Sequence, residues 1–378
     1  MRRGRKIIAY SIAGLLLFIL LYLLFRNYIL HTVINKISEK LDKDYHLELT
    51  IGESGFSGLA TVEMKQISIA PYGGDTLFHM DTLSAAPSIS SLLFLNIRLQ
   101  SLEMKRGFIH LTCSDSSCNY SSLLSKKSDT VSADDHRRNY AALFYRFFAK
   151  VFDFAPQNAV MCDLNLSFKT DTFQTNLRIP EFYSSVEKME GELEDVIQHE
   201  RWKMTGTFNQ EKRKYDMVIY PMTGHSRLPL LKELFNTTAD FDTAHVALIE
   251  SDYSNSIFRM SGNLSASGLS LYQKKISDDT VKIENGSFNY NVTITANSIA
   301  LDSSSSMMLN KINIHPFFKV TAGEGKTFEL LLRTDSTQAT DFFSSLPAGV
   351  FDETKDIQAD GQLQYALRFK LDSTQPDS

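Results

Sequence analysis

Cysteine is scarce in this sequence, with three in 378 residues. A chain of this length with so few cysteines cannot depend on a disulfide framework, so its stability must come from a hydrophobic core. Hydrophobic residues make up 43% of the chain and charged residues 22%, a composition that excludes a disordered protein.

Positive charge is also in short supply beyond the first 27 residues. Those residues hold five of the 39 Lys and Arg residues and none of the 44 Asp and Glu residues. The rest of the chain therefore has 34 bases against 44 acids, a net charge of −10. Phosphate binding needs a basic surface, so nucleic acid is excluded as the main partner.

Catalytic signatures are missing as well. There is no Gly-x-Ser-x-Gly, His-Glu-x-x-His or Gly-x-Gly-x-x-Gly motif, and no two of the nine histidines have metal-ligand spacing. Gly325-Lys326-Thr327 resembles half of a phosphate loop, but Val320 stands where its first glycine belongs. Ser185-Val-Glu-Lys188 has no accompanying Lys-Thr-Gly or Ser-Asp-Asn. We expect no catalytic residue, cofactor or metal site, and hence no enzyme.

One long apolar run is present, Ile7–Phe25, which reads IIAYSIAGLLLFILLYLLF. As a helix rising ~1.5 Å per residue it would span ~28 Å, close to a bilayer core of ~30 Å. Four basic residues precede it, which predicts a cytoplasmic N-terminus and an exported body. A cleavable signal peptide is the alternative, but Phe25–Tyr28 offers no small-residue cleavage site.

Apolar residues at helical spacing follow the predicted anchor. Ile29, Val33, Ile37 and Leu41 recur every four residues, which predicts a continuing helix that packs on the body by this stripe. Further helices are predicted at Asn139–Phe154, Ser88–Asn96 and Thr340–Ser345. The first has an aromatic stripe typical of core. Its alternatives are a lid over an apolar groove or a helix lying in a membrane interface. Residues 121–139, before it, are polar and predict a loop.

From residue 46 onward the hydrophobic period is two. Alternating runs occur at 46–51, 164–168, 173–179, 288–294 and 363–371, separated by turn signals such as Tyr72-Gly-Gly-Asp and Asn285-Gly286. Each run predicts a strand with one apolar and one wet face. We therefore expect a mostly β protein, with about fifteen antiparallel strands rather than alternating βαβ units.

Cys113 and Cys118 lie five residues apart in a Ser- and Asp-rich loop that would face an oxidising compartment. Either a local structural disulfide or two free thiols agrees with this spacing. If they pair, Cys162 has no partner, and its strand predicts a buried position.

Residues 80–111, MDTLSAAPSISSLLFLNIRLQSLEMKRGFIHL, resemble the N-terminal module of AsmA-like proteins, and parts of 268–316 repeat the same organisation. Members of the AsmA and TamB type have one inner-membrane anchor and an exported β-rich body. The resemblance implies an elongated, curved antiparallel sheet whose apolar groove handles lipid between membranes. A closed β-sandwich, in which two sheets cover each other, is the alternative.

The same layout, ending in QLQYALRFKLD (362–372), is also similar to the non-catalytic front part of some membrane-bound peptidoglycan glycosyltransferases. Their catalytic signature, Glu-Asp-x-x-Phe-x-x-His-x-Gly, is absent. On this interpretation the chain is a platform for a cell-wall synthase. A structural envelope protein that binds another protein is a third interpretation.

These observations predict four regions: a basic tip and anchor (1–27), an AsmA-like module (28–120), a polar loop with an aromatic helix (121–156) and a second β-rich region (157–378). The expected partners are the bilayer, through Ile7–Phe25, phospholipid, and envelope or cell-wall synthesis proteins. The predicted location is the bacterial inner membrane with a periplasmic body. The candidate lipid contacts are alternating apolar residues that a closed sandwich would instead use as core: Leu47, Leu49, Ile51, Phe288, Tyr290, Val292 and Ile294.

Overall fold

The computed structural model describes residues 2–87, 99–114, 117–121, 139–156, 158–171, 173–222, 236–275, 277–322, 325–354 and 357–373, with side chains except at 2–19, 21 and 154. The protein is mostly β, as the alternating runs predicted, with a large antiparallel sheet system. The chain divides into two compact units, residues 1–127 with 163–174 and residues 128–162 with 175–378, called unit 1 and unit 2 below.

Unit 1 is a helix followed by a meander of antiparallel strands. Its elements are α1 (Arg2–Tyr45), β1 (Leu47–Ser57), β2 (Thr61–Pro71), β3 (Phe78–Pro87), β4 (Leu99–Ser114) and β5 (Ser117–Cys118). Each strand pairs with the next, so that Leu49 lies opposite Ile69, and Ile69 lies opposite Phe78. The next strand, β6 (Asn158–Lys169), crosses the division between the units.

Unit 2 holds the remaining strands and two helices. Its strands are β7 (Gln174–Ser184), β8 (Met189–Asp195), β9 (Glu200–Asn209), β10 (Lys214–Pro221), β11 (Thr238–Asp240), β12 (Thr243–Ser254), β13 (Ile257–Tyr272), β14 (Val281–Ile294), β15 (Ser298–Leu301), β16 (Ser306–Leu309), β17 (Ile312–Ala322), β18 (Lys326–Thr334), β19 (Thr337–Gln338), β20 (Gln362–Leu363) and β21 (Ala366–Asp372). The helices are α2 (Tyr140–Phe154) and α3 (Ala339–Ser345), and a 3-10 turn spans Asp352–Thr354.

The pairing order in unit 2 follows the chain closely. Strands β7 to β10 form a meander, β12 pairs with β10 and β13, and β14 pairs with β13. The short strands β15 and β16 both lie between β14 and β17, and β18 and β21 continue the sheet. The described part of the chain thus has 21 strands, more than the predicted number, because several apolar runs are divided by turns.

Two of the predicted helices are confirmed. Helix α2 begins where the sequence indicates, because the Asn139 side chain caps it by accepting a hydrogen bond from the Ala142 amide at 3.0 Å. It ends before Pro156, and α3 matches the predicted 340–345 segment. The predicted helix Ser88–Asn96 and most of the predicted loop 121–139 lie outside the described residues.

The predicted turn at Asn285-Gly286 is wrong. Both residues lie inside β14, where Asn285 pairs with Ser267 and Gly286 pairs with Ala266. The fourteen-residue strand continues through the dipeptide because cross-strand pairing on β13 is available along its whole length.

The predicted packing stripe of α1 is also wrong, although the helix is continuous. Of its four residues only Leu41 is half-buried, whereas Ile29, Val33 and Ile37 are about half exposed and Leu30, outside the stripe, is buried. The stripe fails because a neighbouring face of the helix packs on β1, and contacts near Arg26 and Asp42 hold that rotation. Arg26 donates to the Gly58 carbonyl at 2.6 Å, and Tyr72 donates to Asp42 at 2.8 Å.

Within the described residues, no helix has a stretch long and apolar enough to cross a membrane. Most of the predicted span Ile7–Phe25 falls on positions whose side chains lie outside that description.

Candidate functional site

Apolar side chains form rows across one face of the unit 2 sheet. Residues directly opposite each other on neighbouring strands share a face, so the register defines which side chains line up. We call two of these lines the apolar rows. The first row is Phe258, Ile294, Ile299, Val320, Phe328 and Leu371, and the second is Met260, Val292, Leu301, Phe318, Leu330 and Phe369.

Helix α2 covers the rows at the β13 end. Ala141 of the helix, Phe258 and Ile294 form a buried cluster, with Val292 and Ile299 packed against it. The Phe148 ring lies 5.2 Å from the Phe258 ring, and Tyr145 stacks on Tyr253 at 4.4 Å. This end is therefore ordinary helix-on-sheet core.

The rows are open at the β21 end. Leu371 is 46% exposed and Phe369 is 48% exposed, against 1% for Ile294 at the covered end. Phe328 of the first row contacts two aromatic rings of the second row. Its ring lies 5.0 Å from that of Phe318 and 5.9 Å from that of Phe369, edge-on in both cases. An aromatic and aliphatic surface thus reaches solvent at this edge of unit 2.

On β13 and β14 the opposite face of the sheet is polar. A hydrogen-bonded chain crosses five strands there, from Asp216 through His245, Asn263 and Asn289 to Ser306. Donor–acceptor distances along it run from 2.7 to 3.3 Å. The sheet is therefore amphipathic at β13 and β14, with one polar and one apolar face.

The seven predicted lipid contacts fall into two sets in separate units. In unit 2, Phe288, Tyr290, Val292 and Ile294 share one face of β14, and the first three are half-buried. Ile294 is fully enclosed by the protein, so it has no surface left for a ligand in this structure.

In unit 1, Leu47 is 1% exposed and likewise enclosed. Leu49 and Ile51 are half-buried and line a cleft of about 500 Å³ between α1 and β1. Asn35 and Glu53 also line this cleft, so its wall is mixed rather than apolar.

Sequence reasoning did not select the exposed residues of β21 as candidates. Leu367, Phe369 and Leu371 stand on the strictly alternating run at 363–371, which predicted the strand correctly. Alternation reveals a two-faced strand but not whether that strand lies at an edge or in the interior. The alternation could have assigned these residues to the apolar face, but it could not have predicted that they are exposed to solvent.

The cysteines form one disulfide, between Cys113 on β4 and Cys118 on β5. The Asn119 side chain fixes the same hairpin by accepting from the Thr112 amide at 3.0 Å and donating to the His110 carbonyl at 2.7 Å. Cys162 is free and half-buried rather than buried as predicted.

Ionisable groups in the described regions form His–Asp pairs, such as His245–Asp216 and His315–Asp335 at 3.0 Å, but no cluster that resembles a metal centre. No three His, Cys, Asp or Glu side chains there are placed to hold a metal ion. The pKa of Asp335 is lowered because Asn313 and His315 donate hydrogen bonds to its carboxylate, at 2.6 and 3.0 Å. Burial raises the pKa of the Tyr290 phenol. Asp335 lies just after β18 and Tyr290 lies on β14.

In comparisons with protein-family models, curated proteins and solved structures, no match to this chain was found. The resemblance to AsmA-like proteins therefore stays a prediction from the quoted residues. The function has to be argued from the geometry of the sheet.

Proposed function

We propose that the protein is a non-enzymatic, membrane-anchored protein of the bacterial cell envelope that binds phospholipid acyl chains along the apolar rows of unit 2. The observation that carries the proposal is the rise in exposure along these rows, from Ile294 under α2 to Phe369 at 48%. A continuous apolar surface left in water costs roughly 25 cal/mol per Å², so large exposed patches mark binding surfaces.

Acyl chains match this surface chemically. They present no hydrogen-bonding group, and the rows offer branched and aromatic side chains at the ~4.8 Å spacing of paired strands. Phe288 and Val292 lie on the same face of the sheet, closer to α2, and are half-buried. A bound acyl chain that starts at β21 would therefore extend to them. The exposure of Phe369 and Leu371 supports an open, groove-like sheet, because a closed sandwich would bury both side chains beneath a second sheet.

The anchor and location belong to the same proposal. Ile7–Phe25 is long and apolar enough in sequence to cross a bilayer, with basic residues on the side that would stay in the cytoplasm. The Cys113–Cys118 disulfide supports an exported body, since disulfides persist in the periplasm and not in the cytoplasm. We place the body in the periplasm, with the N-terminus in the cytoplasm.

Photo-crosslinking in intact cells tests the lipid proposal on the full chain. Benzoylphenylalanine replaces Phe369, on the apolar rows, or Lys370, its neighbour on the opposite face, and both positions are exposed. We expect phospholipid adducts, identified by mass spectrometry, at 369 and at least several-fold fewer at 370. Equal yields at the two positions, or no lipid at 369 in a protein that keeps its disulfide, would refute lipid binding by the rows.

A platform for a cell-wall synthase is the second candidate, and the position of β21 favours it. In the described part of unit 2, β21 pairs with β18 alone, so its outer edge presents backbone N–H and C=O groups to another strand. The same crosslinking experiment separates the candidates. A protein adduct at 369 without lipid would favour the platform.

A further inference from the structure

Helix α2 has two apolar faces, and only one of them packs on the sheet. The inner face includes Ala141, Phe148 and Phe152, whose rings and methyl group belong to the unit 2 core. The outer face remains in solvent with large side chains. Exposed fractions there are 58% for Leu143, 40% for Phe144, 71% for Phe147 and 52% for Val151.

The exposed side of α2 is also cationic. Arg146 and Lys150 are exposed and one turn apart, each directly preceding a residue of the outer apolar face. The single acidic residue of the helix, Asp153, is paired with Arg213 at 3.7 Å. Among the described residues no acidic side chain forms an ion pair with Arg146 or Lys150, so two positive charges lie beside the apolar ridge on a body that is otherwise strongly acidic.

We infer that the outer face of α2 docks on the surface of a bilayer that contains anionic phospholipid. Aromatic rings are favoured at the level of the lipid headgroups, and Lys and Arg extend their charged ends to the phosphates while their methylene chains stay on the apolar side. The two cations complement an anionic membrane surface, which attracts basic residues within a Debye length.

The shape of this face favours a bilayer over a protein partner. Phe147, at 71% exposed, projects furthest into solvent of the four apolar side chains on this ridge. A bilayer accepts such a ridge without a matching groove, whereas a second copy of the chain or another protein would need one. This contact is separate from the apolar rows, because it uses the side of α2 that faces away from the sheet, and it does not depend on the proposed lipid binding there.

Tryptophan fluorescence on the full chain in vesicles tests the docking. The protein has one tryptophan, Trp202, which is 1% exposed and supplies a constant background. Phe147→Trp places a reporter on the ridge, and Lys319→Trp places a control on the exposed polar face of unit 2. The vesicles contain phospholipid brominated along the acyl chains as a quencher, mixed either with phosphatidylglycerol or with phosphatidylcholine alone.

We expect strong quenching of the Phe147→Trp reporter in phosphatidylglycerol vesicles and little quenching of the Lys319→Trp control. Adding Arg146→Ser with Lys150→Ser should weaken docking by roughly thirtyfold, since each of the two cations near an anionic surface contributes about 1 kcal/mol. The matched control, Lys274→Ser with Lys275→Ser, removes the same charge beyond Tyr272, at the end of β13 away from α2, and should leave quenching unchanged.

Three results would overturn the inference. The first is a Phe147→Trp reporter that is no more quenched than the control. The second is quenching that is equal in phosphatidylcholine and indifferent to the Arg146 and Lys150 changes. The third is a blue-shifted but unquenched emission, which would mean that protein, such as a second copy of the chain, covers the ridge. Circular dichroism and the intact disulfide show in each case that the variant is folded.

Discussion

The phenol of Tyr290 on β14 passes over Gly262 on β13 and donates a hydrogen bond to the Ala247 carbonyl on β12, 3.1 Å away. A Cβ at Gly262 would lie 2.2 Å from the Tyr290 hydroxyl and 2.1 Å from the Ala247 carbonyl oxygen. Glycine is therefore required here for a close approach rather than for a turn. Burial raises the pKa of the phenol further above its ordinary value of 10.0.

Gly262→Ala should destabilise the protein by about 1–3 kcal/mol, the usual cost of overpacking a well-packed site. The strain cannot be relieved cheaply, because one of the clashing atoms is a backbone carbonyl. Urea unfolding of the full chain in detergent, followed by circular dichroism, would measure the loss.

Gly286→Ala on β14 is the matched control for this substitution. Its nearest contact would be the Ile283 methyl at 3.5 Å, an ordinary van der Waals distance. We expect a change within about 0.5 kcal/mol, as for other unstrained positions. Equal losses for the two glycines would contradict the crossing of Tyr290 over Gly262.

Asn139→Ala should loosen α2 by about 1 kcal/mol, because it removes the side chain that caps the Ala142 amide. The helix covers Phe258 and Ile294, so faster hydrogen exchange should appear in residues 140–154 and in β13 beneath them. Asn139→Ser keeps a capping oxygen, so its hydrogen-exchange rates should stay close to those of the wild type. Identical exchange in the two variants would show that the cap contributes little to this helix.

The strands with the clearest alternation could be predicted from sequence alone. Phe288, Tyr290 and Val292 were expected on one face, and they lie opposite Leu264, Gly262 and Met260 on β13 in that register. A period of two needs only local backbone geometry, so the sequence shows it directly.

Strands with an irregular backbone could not be predicted as clearly. On β2 the apolar residues change from even positions, Val62 and Met64, to odd ones, Ile67 and Ile69. Gln66 lies between them with φ of 52°, and Arg106 on β4 has φ of 48°. Such left-handed residues shift the alternation by one position, and no sequence rule marks Gln or Arg as favouring that conformation.

The rotation of α1 and the exposure of the candidate site depend on tertiary contacts. Leu30 rather than Ile29 faces the protein because Arg26 and Tyr72 fix the helix at both ends of β1. The open end of the apolar rows likewise depends on β21 having one partner strand, β18. The amphipathic pattern of the sequence predicts neither the rotation of α1 nor the exposed end of the apolar rows.

Arg106→Gln should raise the pKa of Asp81, which Arg106 lowers by donating a hydrogen bond at 2.7 Å, with a second from His79 at 3.0 Å. A lowered folded pKa means that the stabilisation is present above the ordinary carboxyl pKa, about 4, and is lost as the pH falls through the folded value. The urea midpoints of the wild type and the variant should therefore converge on acidification.

The control for this titration is Lys319→Gln, which removes an exposed cation from the polar face of unit 2. The difference in urea midpoint between this variant and the wild type should stay constant between about pH 7 and pH 3. If the difference in urea midpoint between the wild type and Arg106→Gln does not decrease on acidification, the result would argue against the pairing of Arg106 with Asp81.

Thiol counting tests the disulfide and the exported location together. Cys113 and Cys118 are joined and Cys162 is free, so the unfolded, unreduced protein from cells should react with one maleimide-polyethylene glycol, and with three after reduction. The Cys162→Ser variant should show no reaction before reduction, which identifies the free thiol. Three reactive thiols without reduction would mean that the hairpin faces a reducing compartment, because a disulfide between β4 and β5 would be kept open by the cytoplasmic thiol pool. That result would reverse the proposed orientation of the chain across the membrane while leaving the apolar rows of unit 2 intact.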